Sequence, residues 1–109
     1  MGYDLYSQTG DEYVYFNFGN WPMLLSAAES YGWKPAGTQA GETYHDPSMW
    51  EGTYLSNDGQ IVTAQDAAAL ADALERVLDD IPDKYFSDNM KKSVVEFILM
   101  CRKGAFEIW

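Results

Sequence analysis

The chain has 109 residues, 47% of them hydrophobic and 16% aromatic, which suits one folded domain and lies far from a disordered composition. Seventeen acids against seven bases give a formal net charge of −10, which argues against direct nucleic-acid or anionic-membrane binding, since both need Lys and Arg to neutralise phosphates. A single cysteine excludes an internal disulfide, and with no basic leader and no apolar run near the ~20 residues that span a bilayer, the expectation is one soluble cytoplasmic domain over 1–109.

Two strands are predicted at 2–7 and 12–18, joined at Thr9-Gly10-Asp11. In the second, Val14, Phe16 and Phe18 alternate with Tyr13, Tyr15 and Asn17, so one face is apolar and the other tyrosine-lined. A helix is expected from Asn20 as N-cap, with Pro22 in the first turn and Gly32 as the stop. Trp21, Leu24, Leu25, Ala28 and Tyr31 share its apolar side. Residues 33–52 are irregular and rich in Gly and Pro, and loops of that length in a compact domain are often functional.

Residues 53–55 and 60–62 read as short strands around Ser56-Asn57-Asp58-Gly59, a hairpin signal. Thr63-Ala64-Gln65-Asp66 has the form of a capping box opening a second helix. Leu70, Ala71, Leu74, Val77, Leu78 and Ile81 make its apolar stripe, and Asp66, Asp72, Glu75, Arg76, Asp79 and Asp80 fill the other side until Pro82. A third helix starts at Ser87, carries Asp88 in its first turn and Arg102 and Lys103 in its last, and stops at Gly104. Residues 105–109 close the chain as a strand with Phe106 and Ile108 facing together. The order ββαββααβ predicts an α+β fold: an antiparallel sheet of four to five strands with three helices packed mainly on one face.

Charge is unevenly spread. Residues 1–83 hold fourteen acids and two bases, whereas 84–109 hold three acids and five bases. Asp79 and Asp80 stand at a helix C-terminus, where each carboxylate costs about 0.3–1 kcal/mol if exposed. With Asp72, Glu75 and Asp83 they outline an acidic patch suited to a basic partner, and Tyr13 and Tyr15, joined by Tyr6, outline a second surface.

In the long loop, His45 lies beside Asp46, and Trp33, Tyr44, Trp50 and Tyr54 are placed to rim a pocket with them. No Ser or Cys stands in a nucleophile motif, and one His with one distant Cys is too few ligands for zinc, so neither metal nor cofactor is expected. Cys101 falls in line with Met90, Val94, Phe97 and Ile98, as a core thiol would. Val95 and Leu99 form a second apolar strip, read as a helix sandwiched in the core, with a homodimer surface as the alternative.

Gly2-Tyr3-Asp4-Leu5, Tyr31-Gly32-Trp33-Lys34-Pro35, Ser56-Asn57-Asp58-Gly59-Gln60, the run Leu70-Ala71-Asp72-Ala73-Leu74-Glu75 and the close from Cys101 to Trp109 together resemble short bacterial proteins of unassigned function. The resemblance implies a shared fold. The opening Gly-Tyr-Asp-Leu is also similar to that of some small immunity proteins of bacterial toxin systems. Three functions compete: a non-enzymatic module binding a basic protein, as an immunity protein or inhibitor does; a small-ligand or enzymatic domain using the His45–Trp50 loop; and a structural homodimer.

Overall fold

The computed structural model describes residues 2–109. They form β1 (Gly2–Ser7), β2 (Tyr13–Asn17), α1 (Asn20–Ser30), β3 (Gln60–Val62), α2 (Ala64–Asp79), α3 (Pro82–Tyr85), α4 (Asp88–Lys103) and β4 (Phe106–Ile108), with a short 3-10 turn at Pro47–Met49. The strands make one antiparallel sheet in the order β2-β1-β4-β3. The architecture is α+β, with the helices gathered on one face of the sheet. That face carries Leu5, Val14, Phe16, Val62, Phe106 and Ile108, all buried. The other carries Asp4, Tyr6, Tyr13, Tyr15, Ile61 and Glu107, the strand positions in between.

α1 and α4 lie against the sheet and α2 packs on both helices. Trp21, Phe97 and Phe106 meet edge to face at the centre, with ring centroids 5.3–6.5 Å apart. Cys101 is in this core, and burial pushes its thiol up from its ordinary value, so it is not a reactive thiolate.

Local chemistry explains where the elements begin and end. α1 is not capped by Asn20. Its N-cap is Gly19, and the Asn17 side chain accepts from Gly19 N (3.0 Å) and Asn20 N (2.7 Å). β2 consequently ends at Asn17, and Phe18 leaves the apolar alternation for solvent. The other end of α1 closes as a Schellman motif around Gly32 at φ +100°, with Trp33 N donating to Ala28 O and Gly32 N to Glu29 O. Thr63 caps α2 by accepting from Asp66 N, and Ser87 caps α4 through Met90 N. α2 stops at Asp79, and Pro82 opens the separate turn of α3.

The expected strand at 53–55 and its hairpin do not form. Side chains take up the carbonyls of this segment instead: Thr38 Oγ1 donates to Thr53 O, Trp21 Nε1 to Tyr54 O, the Tyr3 hydroxyl to Leu55 O and Gln60 Nε2 to Ser56 O, at 2.6–3.0 Å. With its acceptors satisfied this way, the segment needs no ladder. Residue Asn57 then ties the chain ends together, its amide donating to Gly2 O (2.8 Å) and Trp109 O (2.6 Å).

α4 is not sandwiched. Val95 and Leu99 are 48% and 58% exposed, and only its other side is covered.

Candidate functional site

The acidic residues of α2, its C-cap and α3 are largely engaged within the fold. Arg102 on α4 pairs with Asp72 (2.7 Å) and Glu75 (2.8 Å), and both carboxylates raise the guanidinium pKa. Lys91 pairs with Asp83, and Asp80 accepts from the Tyr31 hydroxyl at 2.6 Å. That bond pushes the Tyr31 phenol up to about 12. Of the five carboxylates expected to form a patch, Asp79 alone projects with no hydrogen bond or ion pair among the described residues.

The opposite side of the molecule is different. No Lys or Arg occurs in any of the four strands or between residues 35 and 75. The open sheet face is built in rows across the strands. Tyr13, Tyr6, Glu107 and Ile61 stand abreast, and Tyr15 is paired with Asp4. The Tyr6 and Tyr13 rings lie 5.0 Å apart, and the Tyr13 hydroxyl donates to Asp4 Oδ1 at 2.6 Å. Hydrogen bonding to that carboxylate, with a smaller contribution from burial, pushes the Tyr13 phenol up to about 12. Tyr6, Tyr13 and Tyr15 are 41%, 51% and 45% exposed, a contiguous aromatic surface over one acid.

Trp109 extends this surface. Its indole N–H donates to Glu107 at 2.9 Å, and its ring lies directly over Gly59, where any side chain would strike it. Gly59 has φ +72°, so both backbone and space demand glycine there. Beside Trp109 two depressions of about 350 and 370 Å³ share Tyr44, His45 and Asp58. Asn57 and Trp109 flank the first, Trp50 and Glu51 the second. The Tyr44 ring lies 4.8 Å from His45, tilted against it, and meets Trp50 edge to face at 4.9 Å, and Trp50 Nε1 donates to Thr38 O at 3.1 Å. Asp46 caps the 3-10 turn through Ser48 N. Glu42, Asp46, Glu51 and Asp58 are all exposed around this loop.

The six residues expected to rim one pocket are divided by the structure. Tyr44, His45, Asp46 and Trp50 sit on the outer loop, whereas Trp33 and Tyr54 point inward. Both donate to the buried carboxylate of Asp66, Trp33 through Nε1 at 2.9 Å and Tyr54 through its hydroxyl. Burial and that carboxylate raise the Tyr54 pKa, so it stays a donor. Trp33 and Tyr54 also floor a third depression of about 260 Å³, lined by Pro22, Leu25, Glu29 and Leu55.

Asp66 therefore belongs in the core, not on the polar side of α2. A signal for this was present, since it stands four residues before Leu70 and eleven before Val77, on the apolar stripe.

No group of three or more His, Cys, Asp or Glu among the described residues is placed to hold a metal ion, and no helix there is long and apolar enough to cross a membrane. No family model, curated protein or solved structure matches the chain.

Proposed function

We propose that this is a non-enzymatic, cytoplasmic protein-binding module that engages a basic protein, in the manner of an immunity or inhibitor protein. One observation carries the reading: the open sheet face and the adjoining 42–58 loop combine Asp4, Glu42, Glu51, Asp58 and Glu107 with exposed aromatics and contain no cation, while Asp72 and Glu75 of α2 and Asp83 of α3 are paired with Arg102 and Lys91 of α4. Complementary charge steers a basic partner to that side, and Tyr and Trp are the usual anchors of an interface. Tyr13 and Tyr15 belong to this surface, and Asp72, Glu75, Asp80 and Asp83 lie outside it.

Capture from native lysate on the tagged protein, washed at low and high salt and read by mass spectrometry, tests the reading. The expected result is a basic protein released by salt, lost with the Asp4→Asn/Glu51→Gln/Asp58→Asn variant and kept with Asp79→Lys/Asp80→Lys. Retention of that protein by the first variant would overturn the assignment to this face. Recovery of the chain alone would favour the homodimer.

A further inference from the structure

The sheet has two ends, and they are treated differently. At β3 the outer side of Ile61 is bonded both ways to Gln39, at 2.8 and 2.9 Å, so a loop residue covers that edge. β2 is the terminal strand at the other end, and no strand among the described residues pairs with its outer side.

The ladder determines which backbone groups that side presents. Ser7 N donates to Glu12 O beyond the end of β2, whereas Trp109 N donates to Asp4 O and Gln8 N to Ala105 O on the side of β4. Odd residues of β1 thus bond towards β2 and even ones towards β4. Glu12 accepts from Ser7 and Val14 is the partner of Leu5, so Tyr13, which stands between them, aims its backbone N–H and C=O out of the sheet. The strand Tyr-Val-Tyr-Phe-Asn has none of the Pro, Lys or inward charge that ordinarily protects an edge.

The surroundings of the edge differ on its two sides. Towards the helices, a cleft of about 360 Å³ opens between Phe16 and Asn17 on β2 and Asn89, Met90 and Ser93 on α4. It continues past Met90 into a depression of about 290 Å³ that reaches Met23 and Tyr85. Towards the open face lie Tyr13, Tyr6 and Asp4, with Asp11 just before the strand.

We propose that β2 receives an extended segment of a basic partner protein by strand addition. Alternate side chains of the segment are basic, over Tyr13 and Asp4, and small or apolar, in the cleft against α4. The inference rests on the basic-partner reading above and adds how that partner docks. A second copy is the weaker occupant, because pairing two such edges brings together two cation-free sheets on molecules of charge −10.

The test uses an end-blocked hexapeptide alternating Lys with Val, and as control the same peptide methylated at every lysine backbone nitrogen, equal in charge but unable to donate from the residues that stand opposite Tyr13 in an antiparallel pair. Amide exchange is followed by NMR on the isotope-labelled protein. The Lys-Val peptide at saturation is expected to slow exchange at Tyr13 by about tenfold or more, and the N-methylated peptide to leave it unchanged. Tyr13→Pro removes an N–H that the ladder does not use, and should weaken Lys-Val binding by about tenfold beyond Tyr13→Ala.

Equal binding of both peptides with unchanged exchange at Tyr13 would overturn strand addition and leave the basic-partner reading standing. Failure of both peptides to bind at millimolar concentration would also overturn it, and lysate capture then judges the basic partner separately. Concentration-dependent protection of Tyr13 in the protein alone would assign the edge to a second copy and overturn the proposal.

Discussion

Asp66 is 3% exposed, and its two bonding partners are neutral donors, the Trp33 indole and the Tyr54 hydroxyl. Removing the acceptor strands both inside the core. Asp66→Ala is therefore expected to cost about 3 kcal/mol, since each unsatisfied buried polar group costs about 1–3 kcal/mol. Urea unfolding reads this as a lower midpoint at unchanged slope, with Asp79→Ala as the near-neutral comparison. An equal effect of the two would show that the buried network contributes nothing. A second prediction concerns Tyr13, which the bond to Asp4 pushes up to about 12, from an ordinary value of about 10. A raised folded-state value means that the stabilising bond is fully present below pH ~10 and is lost as pH rises towards ~12. Asp4→Asn should return the Tyr13 titration, followed by NMR of its ring, towards the ordinary value. An unmoved titration would show that Asp4 is not its cause. The sequence made Tyr13 legible because period-two alternation is local. Asp66 sat on the apolar stripe, but its charge argued for solvent, and only donors 33 and 12 residues away draw it inward.

At the level of elements, the start of α1 separates two explanations of one segment. The Asn17 carboxamide accepts from the two free amides at that end, while the Asn20 side chain caps nothing. Asn17→Ala should cost about 1 kcal/mol and Asn20→Ala only a few tenths, as measured by thermal unfolding. The reverse order would restore Asn20 as the cap. Helix boundaries set by Gly32, Ser87 and Thr63 were legible because a cap acts within three or four residues. The 53–55 segment was not. Its alternation and the Asp-Gly turn are signals for a hairpin, yet its carbonyls are met by Tyr3, Trp21 and Thr38, which lie well away in sequence and come near only once the sheet and α1 have assembled. Such tertiary bonds override a local turn preference.

Across the whole molecule, α4 carries most of the cations and its neighbours supply their partners. Arg102 meets α2, Lys91 meets α3 and Lys103 meets Glu12 beside the sheet. These pairs are exposed, and solvent screening leaves each of them a small contribution to stability. Against them stands a net charge of −10 on a body 41 Å long. At ~0.01 M salt the screening length is about 30 Å, so the loop acids repel charges across most of the molecule; at ~0.1 M it is about 10 Å. Repulsion then fades more than the close pairs do, and the melting temperature is expected to rise with salt over that range. Glu42→Gln/Glu51→Gln/Asp58→Asn should raise it further at low salt and flatten its salt dependence. A melting temperature that falls with salt would instead show that the ion pairs of α4 outweigh the repulsion. The same variant connects stability to binding. If it melts higher and loses the basic protein, the loop acids lower stability where they serve recognition. If it melts higher and keeps the partner, those carboxylates are dispensable to binding, and recognition must lie on the tyrosine rows and the edge of β2.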